Sequence, residues 1–348
     1  MESMRIGERV VGGGAPCFII AEAGSNHNGR LDQATQLIDA AASAGADAVK
    51  FQLFRAGTLY PTTAGRSDYL KQDRSIYDIV AEMEMPEAWL PELARHCRER
   101  GVVFLASAFD EALVDRLDPF VPAHKIASYE MTHLPLVRHV AAKGKPVILS
   151  TGTATLEEVR ETVEAVRGSG NPPLVLLQCT AAYPAPFESL NLRTLTTMQQ
   201  AFGVPVGLSD HSEDALVGPL GAVALGAAVL EKHFTLDRAL PGPDHRFALE
   251  PDGLRLMIQQ VRALEQALGD GKKQTHPVEG ELRGFARRSI FAVRPIPAGT
   301  PLTMENVAVL RCGQQPAGLA PREFPRILGR TVARQIPVGV AVQSGDLT

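Results

Sequence analysis

Features that would mark a specialised class of protein are scarce in this 348-residue chain. Its four cysteines, Cys17, Cys97, Cys179 and Cys312, include no CxxC pair, which argues against a disulfide framework or a closed zinc knot and leaves them as reduced packing residues. Neither sign of charge dominates: 35 Lys and Arg stand against 39 Asp and Glu, a net charge of -4, so no basic surplus points to nucleic acid. Long hydrophobic runs are missing too. The least polar stretch, 215–230, is broken by Pro219 and three glycines and falls short of the ~20 apolar residues of a membrane span; it reads as a buried helix running into a strand. No GxGxxG follows the first apolar run and no GxxxxGK[ST] occurs, which removes support for a dinucleotide-binding open sheet. The opening residues Glu2, Arg5, Glu8 and Arg9 precede any apolar run, so no secretory signal is read and the cytosol is the default compartment.

What is present is a hydrophobic fraction of 45%, that of an ordinary globular chain. It is arranged in short apolar runs that end in polar residues and are followed by helix-length segments. Eight such runs can be counted: 18–24, 46–52, 102–109, 123–128, 146–152, 174–180, 204–210 and 229–235. Between them, Leu156, Val159, Val163 and Val166 repeat at helical spacing, as do Met257, Val261, Leu264 and Leu268 after the last run. Thr155 with Glu158 forms a capping box. Eight strand–helix units within roughly 250 residues predict a (β/α)8 TIM barrel over 1–268, with a doubly wound sheet as the structural alternative. Gly12 to Gly14 are read as a hairpin turn covering the barrel bottom. The Gly- and Lys-containing segment 269–284 reads as a linker, and 285–348, with short alternating runs between PIPAGT and VGVAVQSGD turns, as a compact β-rich second domain.

In such barrels chemistry sits at the C-terminal strand ends, and here those ends are polar. Lys50 and Lys125 lie inside apolar runs, where an unpaired ammonium is costly. Strand alternation puts Lys50 with Gln52, and Ser209 with His211, on shared faces. With hydroxyls from Ser107, Ser128, Ser150 and Ser209, the lysines would make a site for a phosphate plus a carboxylate; the alternative is that each lysine pairs with a barrel glutamate or snorkels to the rim. His211 and His233 end consecutive strands, a placement that suits a divalent ion such as Mn²⁺ and equally an acid–base pair or hydrogen-bonded core histidines. Glu22 either neutralises a lysine or handles a proton, and Glu130 is a candidate of the same kind. Asp244 is a sugar ligand or a turn former, and His27 and His245 are loop residues that either meet a sugar or do nothing.

Taken together, AEAGSNHNG, GADAVKFQ, HKIAS followed by Glu130, CTAAYPAP, GLSDH, EKHFT and PGPDH occur in the order and near the spacing of the sialic acid synthase family. ARRSIFAVRPIPAG and the final ILGR resemble that family's C-terminal antifreeze-like (SAF) domain. The resemblance implies condensation of phosphoenolpyruvate with an open-chain N-acylated amino sugar, either N-acetylmannosamine or a di-N-acetylated 6-deoxy hexose, with release of phosphate. It implies phosphoenolpyruvate on Lys50, Lys125, Ser107, Ser128, Ser150 and Ser209. Mn²⁺, or Mg²⁺ or Co²⁺, would sit on His211 and His233, with no organic cofactor, and the sugar on Gln52, Tyr183 and Asp244. Arg311 matches an arginine that crosses from a partner subunit, which implies a domain-swapped homodimer. Two departures stand out: Ala181 replaces a polar residue after CT, and a longer QQPA segment follows Arg311. The rival expectations are a Schiff-base pyruvate aldolase using Lys125 or Lys50 and a non-catalytic sugar-binding relative.

Overall fold

The structure, a computed structural model, describes residues 3–66 and 73–348. It divides into two compact units, 1–269 and 270–348.

The first unit is a closed barrel of eight parallel strands, β3 (Phe18–Gly24), β4 (Ala48–Leu53), β5 (Val103–Ala108), β6 (His124–Ile126), β7 (Val147–Ser150), β8 (Leu174–Cys179), β9 (Val206–Asp210) and β10 (Val229–His233), with β10 pairing back onto β3. All eight apolar runs therefore become barrel strands, and the open sheet is excluded. Helices alternate with the strands. The helix Leu156–Gly168 starts on the expected Thr155–Glu158 capping box.

A preceding hairpin, β1 (Ser3–Ile6) and β2 (Arg9–Gly12), sends Met4, Ile6 and Val11 into the interior cluster of Phe18, Ile20, Leu105, Ile148 and Val175. A hairpin thus packs with the barrel interior as expected, but its turn is at Gly7 and Glu8. Gly12 to Gly14, all at positive φ, make the exit from the hairpin toward β3. The sequence misled here because a glycine run marks any left-handed backbone, whether it lies inside a turn or after one.

Period-two alternation sorts each strand into two columns. Outward residues such as Ile19, Val49, Phe104, Leu149, Leu176 and Leu230 join the layer under the helices, whereas Phe18, Ile20, Ala48, Leu105, Ile148, Val175, Leu177 and Val229 fill the barrel. The inward column changes character with height: Phe18 and Ile20 lead to Glu22, Ala48 to Lys50, Leu105 to Ser107, Ala123 to Lys125, Ile148 to Ser150, and Val229 to Glu231. The lower layers supply an apolar core and the upper layer carries the polar groups.

The second unit has one antiparallel pair, β11 (Arg288–Ala292) with β12 (Val307–Arg311), extended by isolated bridges such as Phe291 to Ala341 and Val332 to Leu347. Ile290, Ile296, Leu302, Val307, Ile327, Val332, Ile336 and Val342 form its core. The segment read as linker is not wholly irregular: a helix runs over Gly280–Ala286, two residues past its expected end. No helix among the described residues is long and apolar enough to cross a membrane.

One interior position has no room for a side chain. At Gly207 of β9 a Cβ would lie 2.3 Å from the Val229 carbonyl oxygen and 2.7 Å from a Leu177 methyl. Gly207→Ala is therefore expected to lower stability by about 2 kcal/mol through overpacking, seen as a fall in the thermal unfolding midpoint; an unchanged midpoint would mean that β9 and β10 part easily.

Candidate active site at the barrel mouth

The polar upper layer lines a cavity of about 480 Å³. Of the residues singled out above, it brings together Glu22, Lys50, Gln52, Ser107, Lys125, Ser128, Ser150, Tyr183, Ser209, His211, His233 and Asp244. Glu130 and Arg311 are not among the lining residues. Glu130 lies on the 3-10 turn Ser128–Glu130 and is buried with its Oε2 unpaired. Burial pushes its pKa up to about 7. Arg311 is an exposed residue at the end of β12 in the second unit.

The two lysines divide between the readings open for them. Lys50 is paired: its Nζ is 2.5 Å from Glu22 Oε2 and 3.7 Å from Glu231 Oε1. Burial opposes its charge, but those carboxylates outweigh burial and hold its pKa above the ordinary lysine value. Lys125 is less well compensated. It donates to the Ser150 hydroxyl at 2.8 Å and the Ile126 carbonyl at 2.9 Å, and the distance to Glu231 Oε1 is 3.9 Å. Burial prevails there and lowers its pKa. An ammonium satisfied mainly by neutral oxygens is the stronger anchor for an incoming anion.

Glu22 accepts from Gln52 Nε2 at 3.0 Å as well as facing Lys50. Burial raises its pKa, with Lys50 offsetting only part of the effect, so this carboxyl is suited to exchanging a proton. Asp244 stands close by and is pushed up to about 6 by burial and by Glu22. Gly24 makes room for the group: at φ 52° its missing Cβ would be 3.0 Å from Asp244 Oδ2 and 3.6 Å from both Gln52 Nε2 and Glu22 Oε1.

The imidazoles of His211 and His233 lie 5.2 Å apart between ring centres, with the Tyr183 ring 4.3 Å from that of His211. His211 donates from Nδ1 to the Thr180 carbonyl at 2.9 Å, so its neutral form carries the lone pair on Nε2; burial opposes protonation, but Cys179, the Thr180 carbonyl and Glu231 outweigh burial and raise the ring's pKa. His233 has a buried Nδ1 without a hydrogen-bond partner, and burial followed by the neighbouring His211 holds its pKa well below the ordinary value. A neutral imidazole with an orphaned nitrogen beside a second imidazole with a free one fits a borderline divalent ion completed by water or ligand oxygen. Among the described residues no group of three or more His, Cys, Asp or Glu side chains could hold one by itself.

His27 and His245 do not reach the cavity. His27 is fully buried, accepts from the Gly29 amide at 3.0 Å and packs edge-on to Trp89, whereas His245 bridges Thr235 Oγ1 at 2.6 Å and Asn28 Oδ1 at 3.2 Å. Both loops fold inward, so these imidazoles serve as internal ties. Cys179 departs from a pure packing role, since it lines the cavity 3.7 Å from His211 Nδ1.

Sequence reasoning missed Glu231, which sits between the lysines and accepts from Ser209 at 3.1 Å. Burial alone would raise its pKa, but Lys125, Lys50 and His211 outweigh this and hold it low. Alternation could have found it, because it shares a face with His233. An apolar wall of Phe54, Leu59, Ile76, Ile79, Val80, Met83 and Phe109 was also missed; it comes from the residues just past β4 and β5, Phe54 and Phe109, and from the short helices Ala56–Leu59 and Ile76–Glu82 that follow β4 and carry no motif.

Comparison with known proteins bears on this site. Residues 37–273 match the NeuB family and residues 287–348 the SAF domain. The chain is 44% identical to the spore coat polysaccharide biosynthesis protein SpsE of Bacillus subtilis, over all of this chain and 98% of that one. It is 38% identical to the N,N'-diacetyllegionaminic acid synthase of Legionella pneumophila, covering 95% and 94% of the two chains. Among solved structures, the N-acetylneuraminic acid synthetase of Leptospira borgpetersenii, in complex with citrate, superposes with a TM-score of 0.74 at 32% identity, over 81% of this chain and 95% of that one.

Glu130 generates a pH test. Below about pH 4.5 its carboxyl is protonated in folded and unfolded chains alike. Between there and about pH 7 only the folded chain keeps the proton, so stability falls as pH rises through that window and levels off above it. Glu130→Gln should match the parent below pH 4.5 and exceed its stability above pH 7 by up to about 3 kcal/mol. Denaturant unfolding at a series of pH values reads this, and parallel curves would contradict a buried neutral carboxyl.

Proposed function

The chain belongs to the NeuB family, and from that premise we propose that it condenses phosphoenolpyruvate with an open-chain N-acylated amino sugar, adding water and releasing phosphate to form a nonulosonic acid. The observation that carries this reading is Lys125, a buried and under-compensated ammonium in a cavity that also holds Lys50, four serine hydroxyls and the imidazole pair. Lys125, Lys50, Ser107, Ser128, Ser150 and Ser209 bind the phosphate and carboxylate of phosphoenolpyruvate and turn its C3 toward the sugar aldehyde. His211 and His233 would hold a divalent ion such as Mn²⁺, which when bound would supply Lewis acidity for a carbonyl oxygen. Gln52, Tyr183 and Asp244 orient the sugar. C3 forms the new carbon–carbon bond as the aldehyde π bond opens to an alkoxide, and water adds at C2. Glu22 takes one proton of that water and the alkoxide gains one, and the tetrahedral carbon expels phosphate by C–O cleavage while its hydroxyl proton leaves to the phosphate, so the bridging oxygen leaves with phosphorus and C2 becomes a ketone. Glu130, outside the cavity, has no part in this scheme.

The apolar wall favours the di-N-acetylated 6-deoxy hexose over N-acetylmannosamine, because a methyl in place of a hydroxymethyl group suits Ile76, Ile79 and Val80. Apolar pockets discriminate modestly, so a preference of about 10- to 100-fold in kcat/KM is expected. A second copy as partner belongs to the same reading. Residues 270–348 carry 11 Lys and Arg against 6 Asp and Glu, whereas 1–269 carry 24 against 33, a complementarity that suits association between copies with Arg311 delivered across it.

The test is phosphate release from phosphoenolpyruvate and Mn²⁺ with each sugar. Chelator should abolish turnover, as should His211→Ala or His233→Ala, and Lys125→Ala should raise the KM for phosphoenolpyruvate by roughly 10- to 100-fold. Ile79→Asn should narrow the sugar preference. Full activity of either histidine variant in chelator, or unchanged saturation in Lys125→Ala, would refute the assignment. Borohydride trapping with pyruvate separates the aldolase reading, to which the lowered pKa of Lys125 lends itself: the metal-assisted route leaves no reducible imine.

A further inference from the structure

Behind the imidazole pair, on the outer side of the barrel wall, lies an ion pair with no place in the scheme above. Asp210 and Lys232 are direct partners across the β9–β10 ladder, and their side chains are 1% and 2% exposed. Each immediately precedes one histidine of the pair. Alternation turns them away from the cavity while Ser209, His211, Glu231 and His233 face it. The outward direction of Asp210 is fixed by packing, since a Cβ on Gly218 would come within 2.7 Å of its Oδ2.

The ammonium of Lys232 gathers the chain on both sides of His211. It donates to Asp210 Oδ2 at 2.7 Å, to the Ser212 carbonyl at 2.5 Å and to the Asp214 carbonyl at 2.9 Å. Asp210 in turn accepts from the Ser212 amide at 2.9 Å and the Ser212 hydroxyl at 3.0 Å. Residues 210, 212 and 214 are thus wrapped around one buried cation. With its neighbours drawn outward, His211 projects to the opposite side, where the Thr180 carbonyl fixes its ring and the Ala185 amide donates to its own carbonyl at 2.9 Å. The same cation anchors β10 one residue before His233.

We propose that the Asp210–Lys232 pair is the positioning device for the two imidazoles, so that the cavity's affinity for a divalent cation is set by two residues that never touch it. This rests on the reading of His211 and His233 as a metal site. Removal of one partner would strand a buried charge, so the informative variant removes both: Asp210→Asn with Lys232→Met in the full-length chain. Free Mn²⁺ is followed by its electron paramagnetic resonance signal during titration of parent, double variant, His211→Ala and a control, Asp47→Asn with Arg262→Met, which deletes another ion pair of the same unit, 2.9 Å in length. Outer partners of metal ligands typically govern affinity by 10- to 100-fold. The double variant should show a Kd raised by about that factor at a temperature where circular dichroism reports it folded, and the control should keep the parent value. Lys232→Arg provides a second arm, because a planar guanidinium cannot reproduce the carbonyl cage; a loss of at least about tenfold is expected. Parent-like affinity in the folded double variant, or in Lys232→Arg if the double variant does not fold, overturns the inference alone. A parent chain without saturable, His211-dependent Mn²⁺ uptake overturns the metal reading, and the inference with it.

Discussion

Charge compensation inside a closed barrel is the constraint on which the rest of this structure depends. Closing eight strands forces the upper inward residues into one desolvated layer, where each ion would cost several kcal/mol if left alone. Glu22 meets Lys50, and Glu231 lies between Lys50 and Lys125. The layer is tolerable because these groups neutralise one another and because the layers beneath are wholly apolar. Deleting any member strands another, so the arrangement is both an energetic burden and a means of holding the cavity's polar groups in fixed positions before a ligand arrives.

The compensation is uneven, and that unevenness gives the site its direction. Lys50 is held by a carboxylate in contact, and Lys125 by a hydroxyl and a carbonyl. An anion gains more by approaching the second than the first. On the far side of the same layer the imidazoles present nitrogen lone pairs, and above β4 and β5 the polar groups give way to Phe54, Phe109 and Ile79. A ligand filling this space is anionic at one end, offers oxygen to a cation at another, and turns its least polar part to the wall.

Much of this was legible in the sequence because barrel strands obey a simple period. The eight strands, the inward placement of Lys50, Lys125, Ser209 and His211, and the change to a small β-rich unit follow from alternation and turn chemistry alone. What escaped notice did so for identifiable reasons. Glu231 obeys the same alternation but is adjacent to Lys232, and a Glu–Lys dipeptide reads as an exposed pair until the strand's faces are separated. Glu130 follows a strand of only three residues, and the 3-10 turn directs its carboxyl into the protein rather than into the cavity. His27 and His245 sit in loops read as lying near the mouth, yet both loops fold inward and bury these rings. The apolar wall has neither period nor motif, because it is assembled from two strand exits, Phe54 and Phe109, and helices of four and seven residues.

The central claim is that one layer of the barrel joins an anion site on the lysines to a cation site on the histidines. Crystals soaked with phosphoenolpyruvate and Mn²⁺ address it directly through the anomalous signal of the metal. A single strong peak is expected within bonding distance of His211 and His233, with phosphate density against Lys125 and Ser150. A peak elsewhere, or phosphoenolpyruvate bound away from both lysines, would contradict it.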